Sequence, residues 1–187
     1  EGPGHPFRGN RYTGGVQSAG HHNVRPGTEN YSHGQHLTAA GSHISAARTA
    51  LNHGEYGLAR HHFNEAAYHA AKASAKLQEP GGFTNHELGQ QAEALYHAAH
   101  HAGDAAERAS EAQGNVREHL LASAPSTRYT GDPTGTRALL ESQASSARAM
   151  AENTARAAEN AHDTAQTSRR LVGDPTVGEY LPAASGR

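Results

Sequence analysis

An all-α fold is predicted for this chain: an extended N-terminal arm, then a hairpin or bundle of about four Ala-rich helices, the last of them long. Three observations predict it. From Leu37 onward apolar residues recur in alternating three- and four-residue steps, the spacing of one helical face. Gly- and Pro-containing clusters interrupt that spacing at only a few places and divide it into four runs. The residues that fill the runs are small, with 36 Ala, three Phe, one Met (Met150) and neither Trp nor Cys among 187 residues. Burying alanine removes little apolar area, since each buried methylene is worth only about 0.8 kcal/mol. Such a chain must rely on close helix contacts, or on partner chains that add buried area.

Residues 1–35 read as the arm, where Gly-Pro, His-Pro, Gly-Gly and Arg-Pro-Gly break any regular period. A first helix is expected over about 36–53, with Leu37, Ala40, Ile44, Ala47 and Leu51 on one face and a turn at Asn52-His53-Gly54. A second, over about 55–78, carries Tyr56, Ala59, Phe63, Ala66, Ala70, Ala73 and Leu77, and Glu79-Pro80-Gly81-Gly82 ends it. The third start is strongly specified, because Thr84 and Glu87 have capping-box spacing and Phe83 and Leu88 staple spacing. Its seam is Leu88, Ala92, Leu95, Ala99, Ala102, Ala106 and Ala109, with Val116 and Leu120 extending it to about 122. A fourth helix, about 135–172, has the seam Leu140, Ala144, Ala147, Ala151, Thr154, Ala158, Ala161, Ala165 and Val172. So narrow a stripe on so long a helix predicts one closely packed neighbour, as in a coiled coil. The domain reading is therefore an arm at 1–35, a helical hairpin or bundle at 36–123, a linker and long helix at 124–172, and a looped tail at 173–187. Gly131-Asp132-Pro133-Thr134 recurs as Gly173-Asp174-Pro175-Thr176, which reads as turn chemistry.

Charge and motifs narrow the function. Sixteen basic against 18 acidic residues, with no basic cluster, argue against a nucleic-acid partner. No apolar run is long enough for a membrane span. His86-Glu87 begins like the zinc-protease helix, but Gln90 stands where the second His is required. There is no Gly-x-Ser-x-Gly elbow, no phosphate loop and no carboxylate pair bracketed by apolar residues. No enzymatic activity, no catalytic residue, no cofactor and no metal ligand is assigned.

Sixteen His stand out all the same. His97, His100 and His101 have helical i, i+3, i+4 spacing, and His61, His62 and His69 cluster with Glu65 on the second helix. Imidazoles at this spacing can hold zinc or nickel, or respond together near pH 6.5. A metal site needs a third and a fourth ligand that the sequence does not single out, so these His are expected as surface polar residues.

Two resemblances add a context. Gly54, Tyr56, Ala59, Phe63 and Ala66 resemble the core of one tetratricopeptide unit, which implies a helix–turn–helix whose small residues let the helices approach and, in repeated copies, a partner-binding groove. The segment His5-Pro6-Phe7-Arg8-Gly9-Asn10-Arg11-Tyr12-Thr13-Gly14-Gly15 resembles the H-P-F-x-G-N-Q-Y-T-G segment of tailed-phage and prophage head-module proteins, departing from it at Arg11. The second resemblance implies a virion location and a structural or accessory role, with Phe7, Arg8 and Tyr12 as anchors on other structural subunits or on copies of this chain. The alternatives are a tetratricopeptide-like adaptor, with Gly54, Tyr56, Ala59, Phe63 and Ala66 as its interaction residues, and a His-rich metal-binding or pH-responsive helical protein.

Overall fold

The computed structural model describes residues 25–123 and 134–182. It contains four helices, α1 (His33–Asn52), α2 (Tyr56–Leu77), α3 (His86–Ser123) and α4 (Thr136–Leu171), and no strand among the described residues. Each helix packs on the next in sequence, and α4 returns to touch α1, so the four form an up-down-up-down bundle. The arm residues Phe7, Arg8 and Tyr12 lie outside the described residues.

The seams expected of α1, α2 and the first two-thirds of α3 are the core. Leu37, Ala40, Ile44, Ala47 and Leu51 are buried against Tyr56, Ala59, Phe63, Ala66, Ala70, Ala73 and Leu77, and both sets against the run from Leu88 to Ala109. The α1–α2 turn is as tight as expected, because Gly54 takes φ +72°, a conformation that favours glycine.

The starts of two helices differ from expectation. The α3 cap is Asn85, whose Oδ1 accepts the Leu88 backbone N–H at 2.8 Å, not Thr84. The side chain nearer to the first turn reaches the third backbone amide, while Phe83 stacks on His33 with ring centroids 5.5 Å apart. The complete capping box is at α1. Ser32 accepts from the Gln35 N–H at 3.1 Å, and the Gln35 side chain returns to the Ser32 N–H at 3.0 Å. The helix therefore begins at His33, and the arm expected to reach residue 35 ends sooner. Residues 25–32 already pack on α2, with the Arg25 N–H donating to the Tyr68 hydroxyl at 2.9 Å and its guanidinium 4.2 Å above that ring.

The long helix is also different from its sequence reading. Its buried residues are Ala144, Ala151, Ala155, Ala158, Ala165 and Arg169. Ala155 takes the place expected for Thr154, and Val172 is exposed. Thr154 instead turns its hydroxyl back to the carbonyls of Met150 and Ala151. Ala151, Ala155, Ala158 and Ala165 belong to the common core, so this half of α4 has α1 as well as α3 beside it rather than a single neighbour. At 1.5 Å per residue α3 and α4, of 38 and 36 residues, run about 55 Å, whereas α1, with 20 residues, runs about 30 Å. The α3–α4 pair thus overhangs the rest. Beyond Ala109 no α3 residue is buried, and Ala144 is the first buried residue of α4.

At the other pole a buried polar knot closes the bundle. The tail, expected as a loop, turns back so that Asp174 and Thr176 are buried beside His33 of α1 and Arg169 of α4. Asp174 Oδ2 accepts from His33 Nε2 at 2.7 Å and from Arg169 Nε at 3.1 Å. Its Oδ1 accepts from the backbone N–H and the hydroxyl of Thr176, both at 2.9 Å. Arg169 Nη2 donates to the Thr176 carbonyl at 2.9 Å. Burial pushes the Asp174 carboxyl up, but the Thr176 N–H, His33 and the Thr176 hydroxyl outweigh it and hold the group below its ordinary range. The repeated Gly-Asp-Pro-Thr does include the turn chemistry expected of it, since Asp174 bonds the backbone two residues on. At this copy it also carries the charge that ties α1 to α4.

Glycine makes the knot possible. A Cβ on Gly34 would collide with the Thr176 side chain and the Arg169 guanidinium, and one on Gly41 with the His162 ring, whose Nε2 donates to the Leu37 carbonyl at 3.1 Å. At Gly114, on the overhang, a Cβ would meet nothing.

Two outcomes are expected in urea denaturation. Gly34→Ala lowers stability by about 1–3 kcal/mol through overpacking, whereas Gly114→Ala raises it by about 0.5–1 kcal/mol through helix propensity; equal effects at both positions would refute the close approach at Gly34. Asp174→Ala leaves Arg169 buried without its anion and lowers stability by about 3–5 kcal/mol, and a loss below 1 kcal/mol would show that the knot is not what fastens the tail.

Candidate functional site

Tyr56, Ala59, Phe63 and Ala66 are buried in the bundle's own interior, and Gly54 shapes the turn before them. A partner could reach these side chains only by displacing a helix. The hairpin also packs on α3 and α4 as part of one bundle, so no concave groove is formed from stacked copies of it among the described residues. The tetratricopeptide-like pattern is thus core packing here.

The expectation that the His residues are surface groups needs correction. His33, His36 and His69 are buried, and His36 is wholly so. The reason lies in the spacing on two helices at once. On α1, His36 and His43 are seven residues apart and share a face; on α2, His62, Glu65 and His69 follow at i, i+3 and i+7 on the face turned toward them. Ala39, Ala40, Ala66 and Ala70 are interspersed with these positions, and their small side chains leave room for rings between the helices.

The result is a continuous file of imidazoles. His36 Nδ1 lies 2.9 Å from His69 Nδ1, and His43 Nδ1 lies 3.0 Å from His62 Nδ1. His43 stacks on His69 with ring centroids 5.6 Å apart and planes 16° from parallel. Tyr31 closes one end over His36 at 5.2 Å, and His61 meets His62 at the other at 5.3 Å. Each Nδ1···Nδ1 contact needs one nitrogen to donate and the other to accept, which a pair of imidazolium ions cannot do. Glu65 is the only carboxylate on the α2 side of the file. It accepts from Arg25 Nε and Nη2, both at 3.3 Å. One ligand atom from each of His43, Glu65 and His69 can be chosen so that all lie within 4.8 Å of one another.

Burial dominates the electrostatics. It lowers His36 to about 2, helped by the nearby His69, Lys72, Lys76 and His33, and lowers His69 to about 3, helped by His43 and Arg25. His43 and His62 are also lowered by burial, with Glu65 opposing. The file is therefore neutral near pH 7, with nitrogen lone pairs rather than charges facing the interior.

The His group that first draws attention on α3 is a different case. His100 pairs with Asp104 at 3.4 Å, His97 approaches Glu93 at 3.9 Å, and His101 is exposed. These are local i, i+4 contacts on one helix. The cluster noted on α2 was visible in the sequence, but its partners His36 and His43 on α1 were not, because nothing local pairs positions 33 or 26 residues apart. A seven-residue His spacing on α1 was the only available signal.

Two grooves accompany these features. One of about 470 Å³ lies on the overhang between α3 and α4 and is lined by Val116, Leu120, Ala144, Glu141, Arg117 and Arg148, among others. The second lies between α1 and α4, lined by Thr38, Ser42, Ser45, Glu159, His162 and Gln166 among others; the same two helices are joined by Arg48, which meets Glu159 at 2.8 Å and Glu152 at 3.5 Å. No helix among the described residues is long and apolar enough to cross a membrane. Compared with known protein families, with curated proteins and with solved structures, the chain finds no match.

A pH dependence follows from the buried pair. His36 and His69 bind fewer protons in the folded than in the unfolded chain at every pH between about 3 and their ordinary 6.5. Their contribution is thus fully present above pH 6.5 and is lost as the pH falls through that window, whereas that of Asp174 is lost only below its ordinary 3.8. Thermal melts followed by circular dichroism should give a flat Tm from pH 8 to about 6.5 and a falling one from there to pH 4, less steep in His69→Gln. A Tm that does not fall between pH 6.5 and 4.5 would contradict buried neutral imidazoles.

Proposed function

We propose that this chain is a non-enzymatic structural or accessory protein of a phage particle, which binds other structural subunits or copies of itself through its N-terminal segment and its helical overhang. The observation that carries the binding role is the overhang. There α3 and α4 lack the two neighbours they have in the bundle, and Leu120, Leu121 and Leu139 stand exposed around the hairpin end, with Met150 further along α4. Apolar side chains gathered at one end of a hairpin mark an interaction surface more strongly than the same number scattered singly. The groove beside them holds Arg117 and Arg148 together with Glu141, so a partner helix would meet an apolar strip edged by both signs of charge.

The phage context is supported by the His5–Gly15 segment alone, with Phe7, Arg8 and Tyr12 as its large or charged side chains. Aromatic and Arg residues are those most enriched among binding hot spots. In this reading the bundle is a rigid body with two attachments, one at the overhang and one on the segment that precedes Arg25.

Mass spectrometry of purified virions of the phage or prophage that encodes the chain should find it as a particle component. Phe7→Ala, Arg8→Ala and Tyr12→Ala together, or Leu121→Ser with Leu139→Ser, should reduce incorporation at least tenfold while leaving Tm within a few degrees. Absence of the protein from particles and from their assembly intermediates would overturn the proposal.

A further inference from the structure

The α1–α2 imidazole file has properties that the assembly role does not use. Structural His residues at a helix interface can be satisfied by carbonyls, as His162 is by Leu37. In the file the Nδ1 atoms are paired with one another, and the rings of two helices converge on one carboxylate. From this convergence we propose that His43, Glu65 and His69 form a binding site for a divalent transition cation of the zinc or nickel class, clamping α1 to α2.

The donor set fits that class. Two imidazoles and one carboxylate are borderline ligands suited to zinc, nickel and copper, and are poor for calcium or magnesium, which take oxygen. The distances fit as well. Ligands about 2.0–2.1 Å from a tetrahedral zinc stand about 3.4 Å apart, and the three atoms here lie within 4.8 Å of one another. Small side-chain rotations close the difference without moving either helix. Both rings are already oriented by a second imidazole, His69 by His36 and His43 by His62, in the way that outer groups fix ligand rings around metals. The open coordination positions fall to water. Because burial keeps His43 and His69 neutral, no proton has to be driven off these rings at pH 7 before a cation binds. Glu65 supplies the one negative charge, which Arg25 now shares. Arg25 is therefore the competitor of the cation, and its presence makes the site weaker than the ligands alone would be.

This site differs from the His97, His100 and His101 group, whose members all lie on α3. It also differs from the surfaces invoked for assembly, so the two proposals can fail separately. The test is calorimetric titration of the full chain with zinc chloride, and separately nickel chloride, at pH 7.5. One saturable site per chain is expected, with a zinc-dependent rise in Tm. His43→Ala, at a partly exposed position, should weaken binding at least a hundredfold and abolish the rise. Glu65→Gln should weaken it about tenfold, Arg25→Gln should tighten it, and His97→Ala with His101→Ala should change it less than twofold. Should His43→Ala fold poorly, His43→Asn and Glu65→Gln serve in its place, with circular dichroism confirming the helices. Absence of saturable binding by the unaltered chain would overturn the proposal, as would binding that survives these substitutions or that is lost with His97 and His101.

Discussion

Alanine has a single methyl to bury, and a bundle built on it holds together only where helix axes come close. In this chain Ala40, Ala47, Ala59, Ala66, Ala70, Ala73, Ala92, Ala99, Ala102, Ala106, Ala151, Ala155 and Ala158 are all in the core, while Leu, Ile, Tyr and Phe occupy only a few positions per helix. Close approach gains dispersion contacts along the whole seam, but it also decides where anything larger or polar can go. Two side chains that run from α4 to α1, Arg169 and His162, pass where the facing residue is glycine. Arg169 and Thr176 lie against Gly34, and His162 lies against Gly41. The same spacing forces the rings of α1 and α2 into a file instead of letting them swing out to water.

The energetic consequence is a division of labour. α2 has the largest share of buried residues of the four helices, with Tyr68 and Phe63 wholly enclosed. α4 gives the core little but Ala, and is held to α1 by charge: Arg48 with Glu152 and Glu159, and the knot around Asp174. Exposed ion pairs of the first kind contribute little each, so the buried knot is the stronger fastening, and its strength depends on every member being present.

What could be read from the sequence was whatever repeats locally. The four helices, their order, the Gly54 turn and nearly every seam residue through Ala109 follow from three- and four-residue steps, because that period is a property of each helix by itself. Thr154 fits the sequence pattern as well as its neighbour Ala155, because a narrow Ala stripe tolerates a one-residue shift. Thr84 and Glu87 likewise satisfy the capping pattern one position ahead of the cap that forms, Asn85. The knot and the imidazole file were out of reach for a different reason. His33 and Asp174 are 141 residues apart, and a contact of that separation leaves no periodic trace. Gly-Asp-Pro-Thr at 173–176 was visible as a turn, yet nothing in four residues says that its carboxylate will be buried.

The polar knot has a mechanical consequence. The tail meets the start of α1 at one pole, where Ser32 meets Glu179 and Gln35 meets the Tyr180 carbonyl, while Arg25 lies part-way along α2 beside Glu65 and Tyr68. α1 and α4 are antiparallel at that pole, so tension applied between the start of α1 and residue 182 peels the tail away from α1 there. Peeling loads contacts in sequence, and the first to bear the load are the outer hydrogen bonds, followed by the contact of His33 with Asp174. A force pushing on the far end of the α3–α4 overhang is transmitted along two helices lying side by side and never reaches that joint in tension. Thrust on the overhang and traction on the tail therefore load different contacts, and the innermost contact under traction is the buried carboxylate of Asp174.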